Sequence, residues 1–141
     1  MAEEVSVTDL EKLWKAGAVN LQAVAAQFSQ SASHVHKTAL SEHQVFSGAT
    51  RELVTAWNQI RNQLQDEILV KSYENCTKSG NTLANIAISI SEQDSDNKER
   101  LAETIDEIEN SPVLDDRPPS VPEAPSSDDP HPDTRHGPEP N

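Results

Sequence analysis

Hydrophobic side chains recur at alternating steps of three and four residues through the first third of the chain. This spacing predicts one long amphipathic helix, from about residue 8 to about residue 45. Its start is indicated by Thr8 and Glu11, which fit a capping box. Alanines at intervals of seven form a second row, and their small side chains would let another helix approach closely. The two rows are Leu10, Trp14, Gly17, Leu21, Val24, Phe28 and Val35, and Ala18, Ala25, Ala32 and Ala39.

The same periodicity resumes after a short break and predicts a second helix over about residues 51–109, with a turn at residues 46–50. This helix must end by Ser111, because Pro112 disfavours helical geometry in the residue before it. A bend is expected in the more polar stretch 71–81, where Gly80 costs about 1 kcal/mol relative to alanine. The apolar positions of this segment include Leu53, Trp57, Ile60, Leu64, Ile68, Leu83, Ile90 and Leu101.

These patterns predict an all-α fold in which residues 1–110 form an antiparallel two-helix hairpin. The apolar positions are more numerous than one seam between two helices can cover, and monomers rarely expose contiguous apolar patches above a few hundred Å². We therefore expect a four-helix bundle formed by dimerisation, either a homodimer or a heterodimer with a related helical hairpin. The residues assigned to this interface are Trp14, Leu21, Val24, Phe28, Val35, Trp57, Ile60, Leu64, Leu83 and Ile90.

The last thirty residues differ in composition from the rest of the chain. All nine prolines lie after residue 111, and residues 111–141 carry seven acidic side chains against two arginines. Such a segment has too little apolar surface to offset about 1–2 kcal/mol of ordering entropy per residue. Residues 111–141 are therefore predicted to be a disordered, acidic, Pro-rich tail. A strand that docks in an aromatic groove, or a spacer, is the alternative.

Composition also argues against several classes of function. A net charge of −13 is unsuited to nucleic acid, whose phosphates require clusters of Lys and Arg. No apolar run approaches the roughly 20 residues that span a bilayer, so stable membrane insertion is not expected. His34, His36 and His43 lack the converging ligands of a metal site. We expect no enzyme activity, and no catalytic, cofactor-binding or metal-binding residues. Cys76 is expected to pack as a small apolar group, with an intermolecular disulfide as the alternative.

One short motif lies between the two predicted helices. The sequence Phe46-Ser47-Gly48 resembles the Trp-x-Gly turn of the WXG-motif proteins of type VII (ESX-type) secretion systems, and the resemblance covers about residues 8–109. In that family the second helix ends with Tyr-x-x-x-Asp/Glu, which contributes to export recognition. Ile90 and Asp94 occupy the corresponding positions here, so the acid is present and the tyrosine is not. A simple helix end, with Gly48 in a left-handed cap, is the alternative for the turn.

The resemblance implies a small secreted or secretion-associated protein that acts through helix-bundle association. It also implies a type VII secretion ATPase as a further partner. Secretion would proceed without a Sec signal peptide, since the acidic N-terminus lacks the basic and apolar segments of such a signal. The alternative is a cytosolic coiled-coil adaptor, or a targeting chaperone for a larger effector or toxin, that stays in the cytoplasm.

Overall fold

The computed structural model describes residues 6–111 and 118–130, and these residues form helices and connecting segments without a strand. The all-α prediction is confirmed for this part of the chain. The elements in chain order are α1 (Val7–Lys15), the π-helical segment π1 (Ala16–Leu21), α2 (Gln22–Val45), α3 (Arg51–Gln63), the π-helical segment π2 (Leu64–Val70), α4 (Lys71–Ser91) and α5 (Ser95–Asn110).

Short polar side chains set the first residues of three helices. The Ser6 side chain accepts a hydrogen bond from the backbone N–H of Asp9 at 3.2 Å, so Ser6 rather than Thr8 caps α1. Thr50 caps α3 by accepting from the Leu53 N–H at 3.4 Å. Asp94 caps α5 by accepting from the Asp96 N–H at 3.0 Å.

The second predicted helix is interrupted at a different place from the one expected. The chain is helical through Gly80, where a bend was predicted, and α4 continues to Ser91. The break lies at residues 92–94, where the Asp94 side chain starts a new helix. The prediction of one helix to residue 109 is therefore wrong after Ser91.

The segment π1 changes which face of the first helical segment is buried. A π turn closes hydrogen bonds one residue further along the chain than an α turn, so it shifts the face that follows. Before π1 the buried positions follow the predicted row. After π1 the buried positions are Gln22, Ala25, Ser29, Ala32 and His36, whereas Val24 is exposed and Leu21, Phe28 and Val35 are partly exposed.

The chain divides into two compact units, each with residues from both ends of the sequence. Unit 1 contains Met1–Gln27 and Tyr73–Pro122, and unit 2 contains Phe28–Ser72 and Glu123–Asn141. Of the predicted tail, residues 112–117 and 131–141 lie outside the described residues, as do residues 1–5 of the predicted hairpin.

The third helix of unit 1, α5, covers the hydrophobic core of this unit. Trp14 of α1 is only 5% exposed and packs with Ala87 of α4 and with Leu101 and Ile108 of α5. The Thr104 hydroxyl of α5 donates a hydrogen bond to a carboxylate oxygen of α1 at 2.9 Å. Trp14, which the sequence assigned to the interface with a partner, is therefore an intrachain core residue in this structure.

Two glycines bring the helical segments of unit 1 into backbone contact. A Cβ atom on Gly80 would lie 2.6 Å from the Gly17 carbonyl oxygen and 2.6 Å from Nε2 of Gln22, closer than real Cβ contacts. The same Gln22 Nε2 donates to the Thr77 carbonyl at 3.3 Å and to Oδ1 of Asn81 at 3.1 Å. Since residue 17 meets 80 and residue 22 meets 77, the two segments run in opposite directions within unit 1.

Replacing Gly80 with alanine is expected to lower the free energy of unfolding by about 1–3 kcal/mol, because the added methyl group collides with backbone. Alanine normally stabilises a helix relative to glycine, so the sign of the effect is diagnostic. Urea denaturation followed by circular dichroism measures it. Ser79→Ala, at the exposed neighbouring position, is the control and should change stability little. A Gly80→Ala variant as stable as the natural chain would contradict the close contact.

Candidate functional site

Unit 2 exposes a row of large apolar side chains along α3 and π2. Its five members are spaced by three or four residues and lie on one side of the helical segment. Each is exposed by between 38% and 59%. We call this row the apolar face, and it consists of Leu53, Trp57, Ile60, Leu64 and Ile68. Trp57, Ile60 and Leu64 belong to the interface that the sequence predicted.

The buried side of α3 and π2 carries polar rather than apolar side chains. On α3 and π2 the buried residues are Arg61 and Gln65, and Gln65 is 0% exposed. On the facing part of α2 the buried residues are Ser29, Ala32 and His36. The fully buried side chains of unit 2 are thus mainly polar, and its large apolar side chains are exposed or only partly buried, the reverse of an ordinary helical core.

A hydrogen-bond chain runs through this polar interior. The Gln65 side-chain amide donates to Nδ1 of His36 at 3.0 Å and to the carbonyl of Pro125 at 2.6 Å. Since an amide nitrogen can only donate hydrogen bonds, Nδ1 of His36 acts as the acceptor, and Nε2 carries the proton. That Nε2–H donates to the Pro130 carbonyl at 3.3 Å.

Residues 123–130, which we call the strap, provide both of those carbonyls. The Ser127 backbone N–H donates to Oδ1 of Asp66 at 2.7 Å, and the Ser127 hydroxyl donates to the other oxygen of the same carboxylate. Ala124 is only 5% exposed. Asp129 closes a local turn by accepting from the Ser126 N–H at 2.6 Å. For residues 123–130 the structure therefore differs from the expected disordered tail, because polar contacts, together with the burial of Ala124, hold them.

The turn between α2 and α3 holds the predicted motif. The rings of Phe46 and Trp57 lie 5.6 Å apart at an interplanar angle of 40°. Gly48 has φ of +82°, in the left-handed region, and Ala49 N–H closes the turn onto the Phe46 carbonyl at 3.0 Å. Ser47 is exposed. The geometry at Gly48 fits the simple helix-end alternative as well as the motif, and Phe46 adds an aromatic contact to α3.

A buried charge lies beside this aromatic pair. One oxygen of the Glu42 carboxylate accepts from the indole N–H of Trp57 at 3.1 Å and forms an ion pair with Nε of Arg61. Both charged side chains are largely buried. Glu42 and Arg61 are not among the site residues predicted from the sequence. Their ion pair joins two different helices, and the sequence shows only that Trp57 and Arg61 lie one helical turn apart. A groove of about 320 Å³ borders these residues on the α2 side.

The order of contacts shows how the helices of unit 2 run. Residue 36 meets residue 65, and residue 42 meets residues 57 and 61. The two segments therefore run in opposite directions within unit 2, as they do within unit 1.

The remaining predicted site residues occupy several environments. Ile90 is half-buried near the end of α4, and Leu83 is half-buried on the same helix. Asp94 is exposed, and its carboxylate is engaged as the cap of α5. A role for Ile90 and Asp94 in export stays a prediction.

Comparison of the chain with protein-family models, curated proteins and solved structures gives no match. Within residues 6–111 and 118–130, no group of three or more His, Cys, Asp or Glu residues is placed to hold a metal ion. In the same described segments, no helix combines the length and hydrophobicity needed to cross a bilayer.

Gly48→Ala is expected to lower the free energy of unfolding by about 1 kcal/mol, because a side chain at this positive φ is strained. Among the described residues, an added Cβ would meet no atom within 4 Å, so the cost is conformational rather than steric. Gly48→Asn is the matched control, and it should cost less because asparagine adopts this conformation more readily. Urea denaturation measures the free energy of unfolding of both variants. Equal stability of the two would contradict the strain assigned to a side chain at this positive φ.

Proposed function

We propose that this chain is a small secreted or secretion-associated protein of a type VII (ESX-like) system, and that it acts by forming a helix bundle through unit 2. The observation that carries the proposal is the exposed apolar face on α3 and π2. Single exposed apolar residues are ordinary on protein surfaces, whereas a continuous row of five marks an interaction surface. Fully burying one such side chain contributes about 1.5–3 kcal/mol.

The apolar face continues onto α2. Leu64 and Ile60 each lie one residue before a buried residue of their own helical segment. On α2, Phe28 and Val35 also lie one residue before a buried residue. Side chains one residue apart are offset by about 100° around a helix. In antiparallel helices that face each other, the same offset places both rows on the same side of the pair. A second pair of helices can cover such a surface and complete a four-helix bundle.

The occupant that we propose is a second copy of the chain. Helical residues 28–72 carry four acids and four bases, so two copies that meet there experience little net repulsion. The surplus of acid lies elsewhere, with fifteen acids and four bases in residues 92–141. A related helical hairpin is the other occupant that this surface would fit.

The secretion part of the proposal is supported by the turn. The motif Phe46-Ser47-Gly48 joins two helical segments, and its aromatic ring packs on the second of them. The reversed order of contacts within unit 1 and, separately, within unit 2 supports the hairpin architecture of the WXG-motif proteins. Membership in that group and a type VII ATPase as a partner are parts of the same proposal.

Leu64→Asp is expected to dissociate the bundle, because it would bury an unpaired charge in the interface. Multi-angle light scattering should report a dimer for the natural chain and a helical monomer for this variant. Gln63→Asp adds the same charge at the exposed neighbouring position and should remain dimeric. A natural chain that is monomeric at micromolar concentration, and that purifies from its own cells without a helical partner, would overturn the bundle. A sibling chain found in its place would overturn only the choice of a second copy.

Export is tested by deleting the type VII ATPase gene in the source organism and immunoblotting the culture medium. We expect the protein in the medium of the parent strain and not in that of the deletion strain. Protein outside the cell in both strains would overturn the type VII assignment. Retention in the parent's cell pellet with a larger co-purifying chain would instead favour the cytosolic adaptor or targeting chaperone.

A further inference from the structure

The inside-out arrangement of unit 2 requires something that keeps its apolar face outward. An isolated pair of amphipathic helices gains most by turning its apolar rows toward each other. Here Leu64 and Ile60 lie one position away from the buried seam, and Val35 lies one position away on α2. A turn of each helix by about one residue, roughly 100°, would bring these rows into the seam.

The strap contacts are compatible only with the outward arrangement. Gln65 must face inward to donate both to His36 and to the Pro125 carbonyl. Asp66, the next residue, must point to the side away from the apolar face in order to accept both hydrogen bonds from Ser127. If the helix turned to bury Leu64, Gln65 and Asp66 would both leave their partners, and Arg61 would leave Glu42.

We infer that the strap is a conformational switch on the apolar face. When residues 123–130 are docked, the apolar face is open and competent to bind. When they are released, α3, π2 and the unit 2 part of α2 turn and close it. The segment π2 lies where this turn must be absorbed, and π-helical hydrogen bonds can convert to α-helical ones. The inference rests on the proposed function only in taking the apolar face as the binding surface.

The switch can be observed through Trp57, which lies on the apolar face. The other tryptophan, Trp14, is buried in unit 1, so Trp14→Phe leaves Trp57 as the only indole reporter. In this background Asp66→Ala removes both acceptors of Ser127. Glu67→Ala is the matched control, because it removes the same charge from the exposed neighbouring position.

At a dilution where the chain is monomeric, Asp66→Ala is expected to reduce acrylamide quenching of Trp57 by about half and to shift its emission to shorter wavelength. If nine molecules in ten close, the apparent dimer dissociation constant rises about a hundredfold, because both copies must be open to associate. Glu67→Ala should leave both quantities unchanged. Unchanged or increased quenching in Asp66→Ala, with native helicity, would overturn the switch.

A second variant removes the question of misfolding. Asp66→Cys with Ser127→Cys, in a Trp14→Phe and Cys76→Ser background, allows the strap to be locked by oxidation and freed by reduction of the same protein. The oxidised form should keep Trp57 quenchable, and the reduced form should protect it. Equal quenching in the two forms would overturn the switch. Because quenching is read on the monomer, this result stands whether or not the chain dimerises, whereas loss of dimerisation in the natural chain would overturn only the proposed function.

Discussion

The buried side-chain amide of Gln65, together with the Glu42–Arg61 ion pair, fixes which side of α3 and π2 faces α2 in unit 2. Its two N–H groups donate to an imidazole nitrogen of α2 and to a strap carbonyl. Both N–H groups of the amide are paired there, whereas its oxygen is buried without a partner among the described residues, so these two hydrogen bonds are what hold Gln65 inward. With Gln65 inward, Leu64 must lie outward. The exposed apolar face therefore follows from a polar contact, in a sequence that has enough apolar side chains for an ordinary helical core.

The two units meet the same demand for apolar burial in different ways. Unit 1 covers Trp14 with α5, whereas Val24, Ile86 and Ile88 of the same unit stay exposed. Unit 2 has no third helix among the described residues, and the strap lies on the polar side of its helix pair. One chain thus contains a unit with an apolar core around Trp14 and a unit whose largest apolar side chains are mostly exposed. Because the two units differ in this way, an excess of apolar positions counted over the whole sequence indicates that a partner is needed. The count does not show which part of the chain the partner covers.

The sequence was sufficient for features set by local chemistry and insufficient for those set by distant contacts. Helical periodicity placed the end of α2 at Val45 and the start of α3 at Arg51, because both are local. It missed the shift in the buried row after π1, since the hydrogen-bond pattern of a helix leaves no mark on hydrophobic spacing. It also missed the strap, because composition measures apolar surface, and these residues are held by polar groups such as Asp66, about sixty positions away in sequence. The break after Ser91 had a visible signal, the capping residue Asp94, which was read as part of an export motif instead.

Asp94 carries a structural task in addition to any role in recognition. Its carboxylate is already bound to the first turn of α5, and that helix covers the indole of Trp14. A protein that binds this carboxylate must first break its hydrogen bond to the Asp96 backbone N–H. Losing an N-cap destabilises a helix by about 1 kcal/mol. Binding of the Asp94 carboxylate by another molecule would thus lower the stability of α5, the helix that covers the core of unit 1.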